Sequence, residues 1–147
     1  MCILNGHARQ VLDCDWHCGG ARLATASADH TVKIWNLRML GKNKQRNAHG
    51  RAWKDESEYT IPAHTSIVKG VRFGPRTGSF LVSVGYDHAV RFWSTRDFSP
   101  IGPVHRPHEE KVMCVDVSAD ERHVVTGGYD RTFKVWAEGD GLLAMLR

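Results

Sequence analysis

Long apolar runs are missing from this 147-residue sequence, and so is the usual layout of a secretion signal. No stretch approaches the roughly 20 apolar residues that a helix needs to cross a bilayer. The opening MCILNGHARQ lacks a basic-then-apolar order, so neither a membrane nor secretion is expected. Cysteine is sparse: Cys2, Cys14, Cys18 and Cys114 are all there is. Without a secretion signal they are expected to stay reduced. Charge of one sign is also in short supply. Twenty Lys and Arg against sixteen Asp and Glu leave a net +4. That permits nucleic acid or acidic partners without requiring them, and dedicated nucleic-acid binders carry a denser basic stripe.

Catalytic and metal-binding signatures are equally thin. There is no GxSxG nucleophile elbow. His108 is followed by Glu109 and Glu110, but position 112 is valine, so the zinc-protease spacing fails. Cys14, His17 and Cys18 admit a zinc reading. A structural zinc site takes four well-spaced ligands, and Cys14 reads instead as a small core residue on a strand. No metal, cofactor or small-molecule substrate is expected.

What the sequence does have is a repeat. The segments VLDCDWHCGGARLATASADHTVKIW, VKGVRFGPRTGSFLVSVGYDHAVRFW and VMCVDVSADERHVVTGGYDRTFKVW align with one another. Each ends in a tryptophan: Trp35, Trp93 or Trp136. Six residues before it stands Asp29, Asp87 or Asp130, and four before that Thr25, Ser83 or Thr126. A histidine, His7, His64 or His108, precedes the aspartate by 22 or 23 residues. Period-2 alternation, as in Val115 and Val117 after Val112, predicts strands. The intervening CGGA, PRTG and SADE predict turns. Three strands per segment follow, with a fourth expected after each tryptophan, at Glu58 to Pro62, Ile101 to Val104 and Leu142 to Leu146. The tryptophans are 58 and then 43 residues apart. The second spacing suits a four-stranded propeller blade. The surplus in the first falls in a polar, basic stretch that predicts a long loop.

This pattern resembles the WD-repeat family over nearly the whole chain. The resemblance implies an all-β fold: a partial propeller of three four-stranded antiparallel blades in one domain, 1–147. Its repeats would run about 5–60, 61–104 and 105–147, with a basic insertion at 38–57. It also implies three structural tetrads, His7–Thr25–Asp29–Trp35, His64–Ser83–Asp87–Trp93 and His108–Thr126–Asp130–Trp136. The chemistry is coherent by itself. A turn aspartate accepts backbone N–H groups and a histidine N–H, and the network passes through the hydroxyl to the indole. A His, Ser and Asp set also suggests a hydrolase, but a catalytic set occurs once per site, and this one recurs three times. The terminal WD dipeptide is WN, WS or WA here, and GH survives only as Gly6–His7. Neither departure touches the tetrads.

Within the family, YTIPAH, EKVM and YDRTFK resemble the WD-repeat proteins of the U4/U6 small nuclear ribonucleoprotein. That implies a nuclear, non-catalytic scaffold of U4/U6 and tri-snRNP particles in pre-mRNA splicing, formed from the last three repeats of a seven-bladed propeller. Its partners would be other snRNP proteins, among them the partner U4/U6-specific protein, with U4/U6 RNA reached indirectly. A general WD adaptor, as in ubiquitin-ligase substrate receptors or chromatin platforms, is the alternative. Family members bind through the face beside the tetrad turns, here Gln10, Leu12, Ala28, Ile67, Lys69, Tyr86, Lys111, Met113 and Tyr129. Tyr86 and Tyr129 are the leading anchors, unless each only packs its own turn. Lys42, Lys44, Arg46, Arg51, Trp53 and Lys54 in the insertion are candidates for RNA contact, or for a solvated loop. Three blades leave the flat faces of the end blades bare, so the isolated chain is expected to be unstable or oligomeric.

Overall fold

The computed structural model describes residues 3–39 and 57–137. Eleven strands occur among the described residues: β1 (Val11–Trp16), β2 (Arg22–Ser27), β3 (Val32–Asn36), β4 (Tyr59–Ile61), β5 (Val68–Phe73), β6 (Phe80–Gly85), β7 (Val90–Ser94), β8 (Pro100–His105), β9 (Val112–Val117), β10 (His123–Gly128) and β11 (Phe133–Ala137). They form three antiparallel meanders in chain order: β1 to β4, β5 to β8 and β9 to β11. The outer strands expected near 58–62 and 101–104 are β4 and β8. The one expected at 142–146, and most of the basic insertion, lie outside the described residues.

The hairpins repeat because their turn chemistry repeats. In each blade a three-residue loop joins the second and third strands, closed by Ser27 N–H to Thr31, Gly85 N–H to Ala89 and Gly128 N–H to Thr132. The last loop residue sits in the left-handed region: His30 (φ 74°), His88 (φ 64°) and Arg131 (φ 65°). That is the geometry of a type I turn followed by a left-handed residue. At the other end Gly20, Gly78 and Glu121 take the same positive φ.

The blades pack face to face, and one rule governs both interfaces. The face of blade 1 bearing Ala24, Ala26, Val32 and Ile34 meets Val71, Phe73, Leu81 and Trp93 of blade 2. Phe80, Val82, Val84 and Phe92, on the opposite face of blade 2, meet Val115, Val124 and Trp136 of blade 3. Each fully buried Val, Ile or Phe contributes roughly 1.5–3 kcal/mol, so these faces carry most of the stabilisation.

The innermost strands are tied by carboxylates. Asp13 Oδ2 accepts the Val71 N–H at 3.0 Å and pairs with Arg72 at 2.7 Å; Asp15 Oδ2 accepts the Phe73 N–H at 2.7 Å. The free N–H edge of β5 is thereby satisfied by side chains of the preceding blade.

The ends differ from the middle. Cys14 lies on a strand as expected but is exposed. Trp16 is 55% exposed although the matching Phe73 is 2%. Both face away from blade 2, on the side where a preceding blade would pack. The sequence pattern marks them as core because it reports the repeat, not whether a neighbour is present.

Candidate functional site

The structure brings each histidine, hydroxyl, aspartate and tryptophan set together. In blade 1, His7 Nδ1 is 2.8 Å from Asp29, His7 Nε2 is 2.7 Å from Thr25 Oγ1, and the Trp35 indole donates to that hydroxyl at 2.8 Å. The same distances in blade 2 are 2.7, 2.9 and 2.9 Å through His64, Ser83, Asp87 and Trp93. In blade 3, His108 lies 3.0 Å from both Asp130 and Thr126, and Trp136 donates at 3.3 Å. One assignment satisfies every atom: indole N–H to hydroxyl, hydroxyl to Nε2, and Nδ1–H to carboxylate.

Each aspartate also organises its turn. Asp29 accepts the N–H groups of Ala8 and Thr31, Asp87 those of Thr65 and Ala89, and Asp130 those of Glu109 and Thr132. Burial pushes all three carboxyls upward, but hydrogen bonds outweigh it and hold them well below the usual carboxylate range. The main opposing donors are Thr31 and His7 for Asp29, His64 for Asp87, and Thr132 for Asp130. Sequence reasoning missed the threonines. Thr31 and Thr132 hydroxyls donate to Asp29 and Asp130 at 2.6 and 2.8 Å. Ala89 stands at that place in blade 2, where Arg91 approaches Asp87 at 3.6 Å instead. The Asp-x-Thr spacing in two of three repeats was the available signal.

These sets are poorly arranged for hydrolysis. Ser83 and Thr126 are fully buried, and each hydroxyl is already taken by an indole N–H. A nucleophile must reach its carbonyl, and these cannot. Among the described residues no group of three or more His, Cys, Asp or Glu is placed to hold a metal.

The turns present what the tetrads hold. One backbone bond recurs beside each aspartate: Ala28 N–H to Gln10, Tyr86 N–H to Ile67 and Tyr129 N–H to Lys111. It places residues 28, 86 and 129 equivalently at one end of the blades. Their exposures diverge. Ala28, expected on the binding face, is buried at 7% exposure. Tyr86 is half-buried, with the Lys111 ammonium 4.8 Å from its ring centroid, a cation–π contact joining blades 2 and 3. Tyr129 is 69% exposed. It borders a depression of about 600 Å³ with Glu110, Met113, Asp130 and Arg131. Ile67 and Lys69 are half-buried, while Gln10 and Leu12 are exposed. Lys42, Lys44, Arg46, Arg51, Trp53 and Lys54 lie outside the described residues.

Consecutive antiparallel meanders locked by a repeated tetrad, two of four strands and one of three among the described residues, with an open face of turns, define β-propeller blades that work as an interaction module. The chain matches the family model "WD domain, G-beta repeat" at residues 1–36, 55–94 and 101–137. It belongs to that family.

Among curated proteins, the chain is 26% identical over 164 aligned positions to "Ribosome biogenesis protein WDR12 homolog" of Ixodes scapularis, covering 90% of this chain and 38% of that protein. It is 36% identical to "Lissencephaly-1 homolog" of Dictyostelium discoideum, covering 78% and 23%. It is 35% identical to "U4/U6 small nuclear ribonucleoprotein PRP4" of Saccharomyces cerevisiae, covering 56% and 18%. The chain therefore spans less than two-fifths of the length of these relatives. The U4/U6 likeness stands beside others that cover more of the chain.

Proposed function

We propose that this chain is a non-catalytic scaffold of a nuclear RNA–protein assembly, the U4/U6 and tri-snRNP particles of pre-mRNA splicing. It would bind another protein component through the turn face of blades 2 and 3. The observation that carries the interaction reading is Tyr129: a large aromatic, exposed at the rim of a depression, on a turn fixed by a satisfied tetrad. Aromatic side chains on rigid supports are the usual anchors of protein interfaces. Tyr86 and Lys111 extend the patch. The splicing assignment rests on YTIPAH, EKVM and YDRTFK, which the tetrads do not require, and is supported by the U4/U6 relative. The basic insertion carries charge suited to RNA phosphate.

A second reading is a scaffold in ribosome biogenesis, favoured by the relative of that name, whose match covers more of the chain. Affinity capture from nuclear extract separates the two. Recovery of U4 and U6 RNA with tri-snRNP proteins, reduced about tenfold by Tyr129→Ala, is the expected result. Pre-ribosomal components in their place would reject the splicing assignment. Capture unchanged by Tyr129→Ala and Tyr86→Ala would reject the proposed face.

A further inference from the structure

The turn face carries a pattern that the tetrads do not explain. Where the first two strands of each blade pair, the first strand holds one residue too many. Its register steps from Val11 to Asp13, from Val68 to Gly70 and from Val112 to Cys114, so Leu12, Lys69 and Met113 bulge out of the ladder. A bulge re-aims the side chain of its extra residue. Leu12 is 37% exposed, and Lys69 and Met113 are half-buried. The three occupy one register position on successive blades and make an apolar, basic, apolar row.

A second cation joins the middle of that row. Lys111 precedes β9, and its ammonium lies 4.8 Å from the centroid of the Tyr86 ring. Tyr86 follows Gly85, which pairs with Val68 beside the bulge, and its N–H is held by Ile67. Both lysines thus belong to the neighbourhood of Tyr86. Their charges are not spent within the described residues. No carboxylate there lies at ion-pair distance from Lys69 or Lys111, whereas Arg22, Arg72 and Arg91 meet Glu58, Asp13 and Asp87. The aspartates of this face are committed to the tetrads, with side chains 9%, 6% and 9% exposed. Its exposed acids, Glu109 and Glu110, stand on blade 3, where Glu110 borders the depression beside Tyr129.

We propose that this inner margin of the turn face binds an extended acidic segment of a partner protein. Asp or Glu carboxylates of the segment meet Lys69 and Lys111, and apolar side chains on either side of them pack on Leu12 and Met113. The Tyr86 ring orients the Lys111 ammonium, whose N–H groups then serve the incoming carboxylate. The inference rests on the turn face being the protein-binding face and adds the chemistry of what binds there.

Carbodiimide treatment of the complex captured from nuclear extract tests this. The reagent joins a lysine amine to a touching carboxylate as an amide and itself takes up the water as a urea. Peptide mapping by mass spectrometry should find Lys69 and Lys111 joined to Asp or Glu of a captured protein. Both lysines joined to RNA phosphate, or both unlinked while other lysines of the chain react, would overturn the proposal. The identity of the captured particle tests the functional assignment instead. A random peptide library panned on the immobilised chain decides the inference without any particle. Selected peptides should carry Asp or Glu between apolar residues. Their binding should fall about tenfold in Lys69→Gln/Lys111→Gln, weaken with added salt, and survive in Lys69→Arg/Lys111→Arg, which keeps both charges. No selection, selection of basic or uncharged peptides, or indifference to the glutamine pair would also overturn it. Far-UV circular dichroism verifies that both variants fold, and the cross-linking arm needs neither.

Discussion

Replacing Ser83 by alanine tests whether the tetrad holds its blade. Ser83 Oγ is fully buried, 2.9 Å from His64 Nε2 and 2.9 Å from the Trp93 indole nitrogen. Alanine removes both partners at once. Each buried polar group left unsatisfied costs about 1–3 kcal/mol. The void left by one oxygen is too small for a water that would repair the loss. The expected loss is about 3 kcal/mol, a substantial part of the 5–15 kcal/mol typical of a folded domain. With a urea dependence near 1.5–2 kcal/mol/M, the unfolding midpoint falls by about 1.5–2 M. Ser83→Thr should stay within about 1 kcal/mol of the parent, because threonine fills this place in both neighbouring blades. Trp93→Phe removes the stranded donor, so the double variant should cost at least about 1 kcal/mol less than the sum of the two single changes. A loss from Ser83→Ala well under 1 kcal/mol, or strict additivity with Trp93→Phe, would refute the network argument.

Other perturbations read different parts of the fold. His88→Gly relieves a left-handed residue and should raise stability by about 0.5–1 kcal/mol in thermal unfolding; a decrease would mean that the imidazole makes a contact worth more than the strain. Asp13→Ala removes the acceptor of the Val71 N–H and the partner of Arg72 and should cost about 1–2 kcal/mol, with most of the loss recovered at equal length by Asp13→Asn. Acid should act in two stages. His105 is pushed below its ordinary value by burial, so the unfolded chain binds its proton first and stability starts to fall below about pH 6.5. The tetrad aspartates titrate lower in the folded state than in the unfolded, so their contribution is complete above about pH 4 and is lost as pH falls further. Urea midpoints measured across pH 2 to 8 that stay flat below pH 4 would contradict this.

The sequence made the tetrads legible because they combine rare residue types at fixed spacing. Trp35, Trp93 and Trp136 also marked where the third strand of each blade ends. The outer strands β4 and β8 could be located because each lies shortly before the next histidine, His64 or His108. Other features depend on what lies across a gap in space. Nothing local separates Trp16 from Phe73, yet one faces solvent and the other a neighbouring blade. Ala28 shares its backbone bond with Tyr86 and Tyr129 but not their reach. The ties from Asp13 and Asp15 to β5 join residues 58 apart in sequence, and no periodicity within a strand announces them.

The blade-to-blade packing also sets how the molecule comes apart. Among the described residues the two buried apolar clusters each join consecutive blades, so stability behaves as a nearest-neighbour sum along the row. Blade 2 has both neighbours, while blades 1 and 3 have one each. Opening an end blade breaks one interface, and opening the middle blade breaks two. Amide hydrogens of β6 and β7 should therefore exchange with solvent only through near-global unfolding, and those of β1, β2, β10 and β11 through smaller openings. The three nearly identical hairpin sets would then form a graded structure, with its most persistent hydrogen bonds at the centre and its most labile at the faces where another blade can dock.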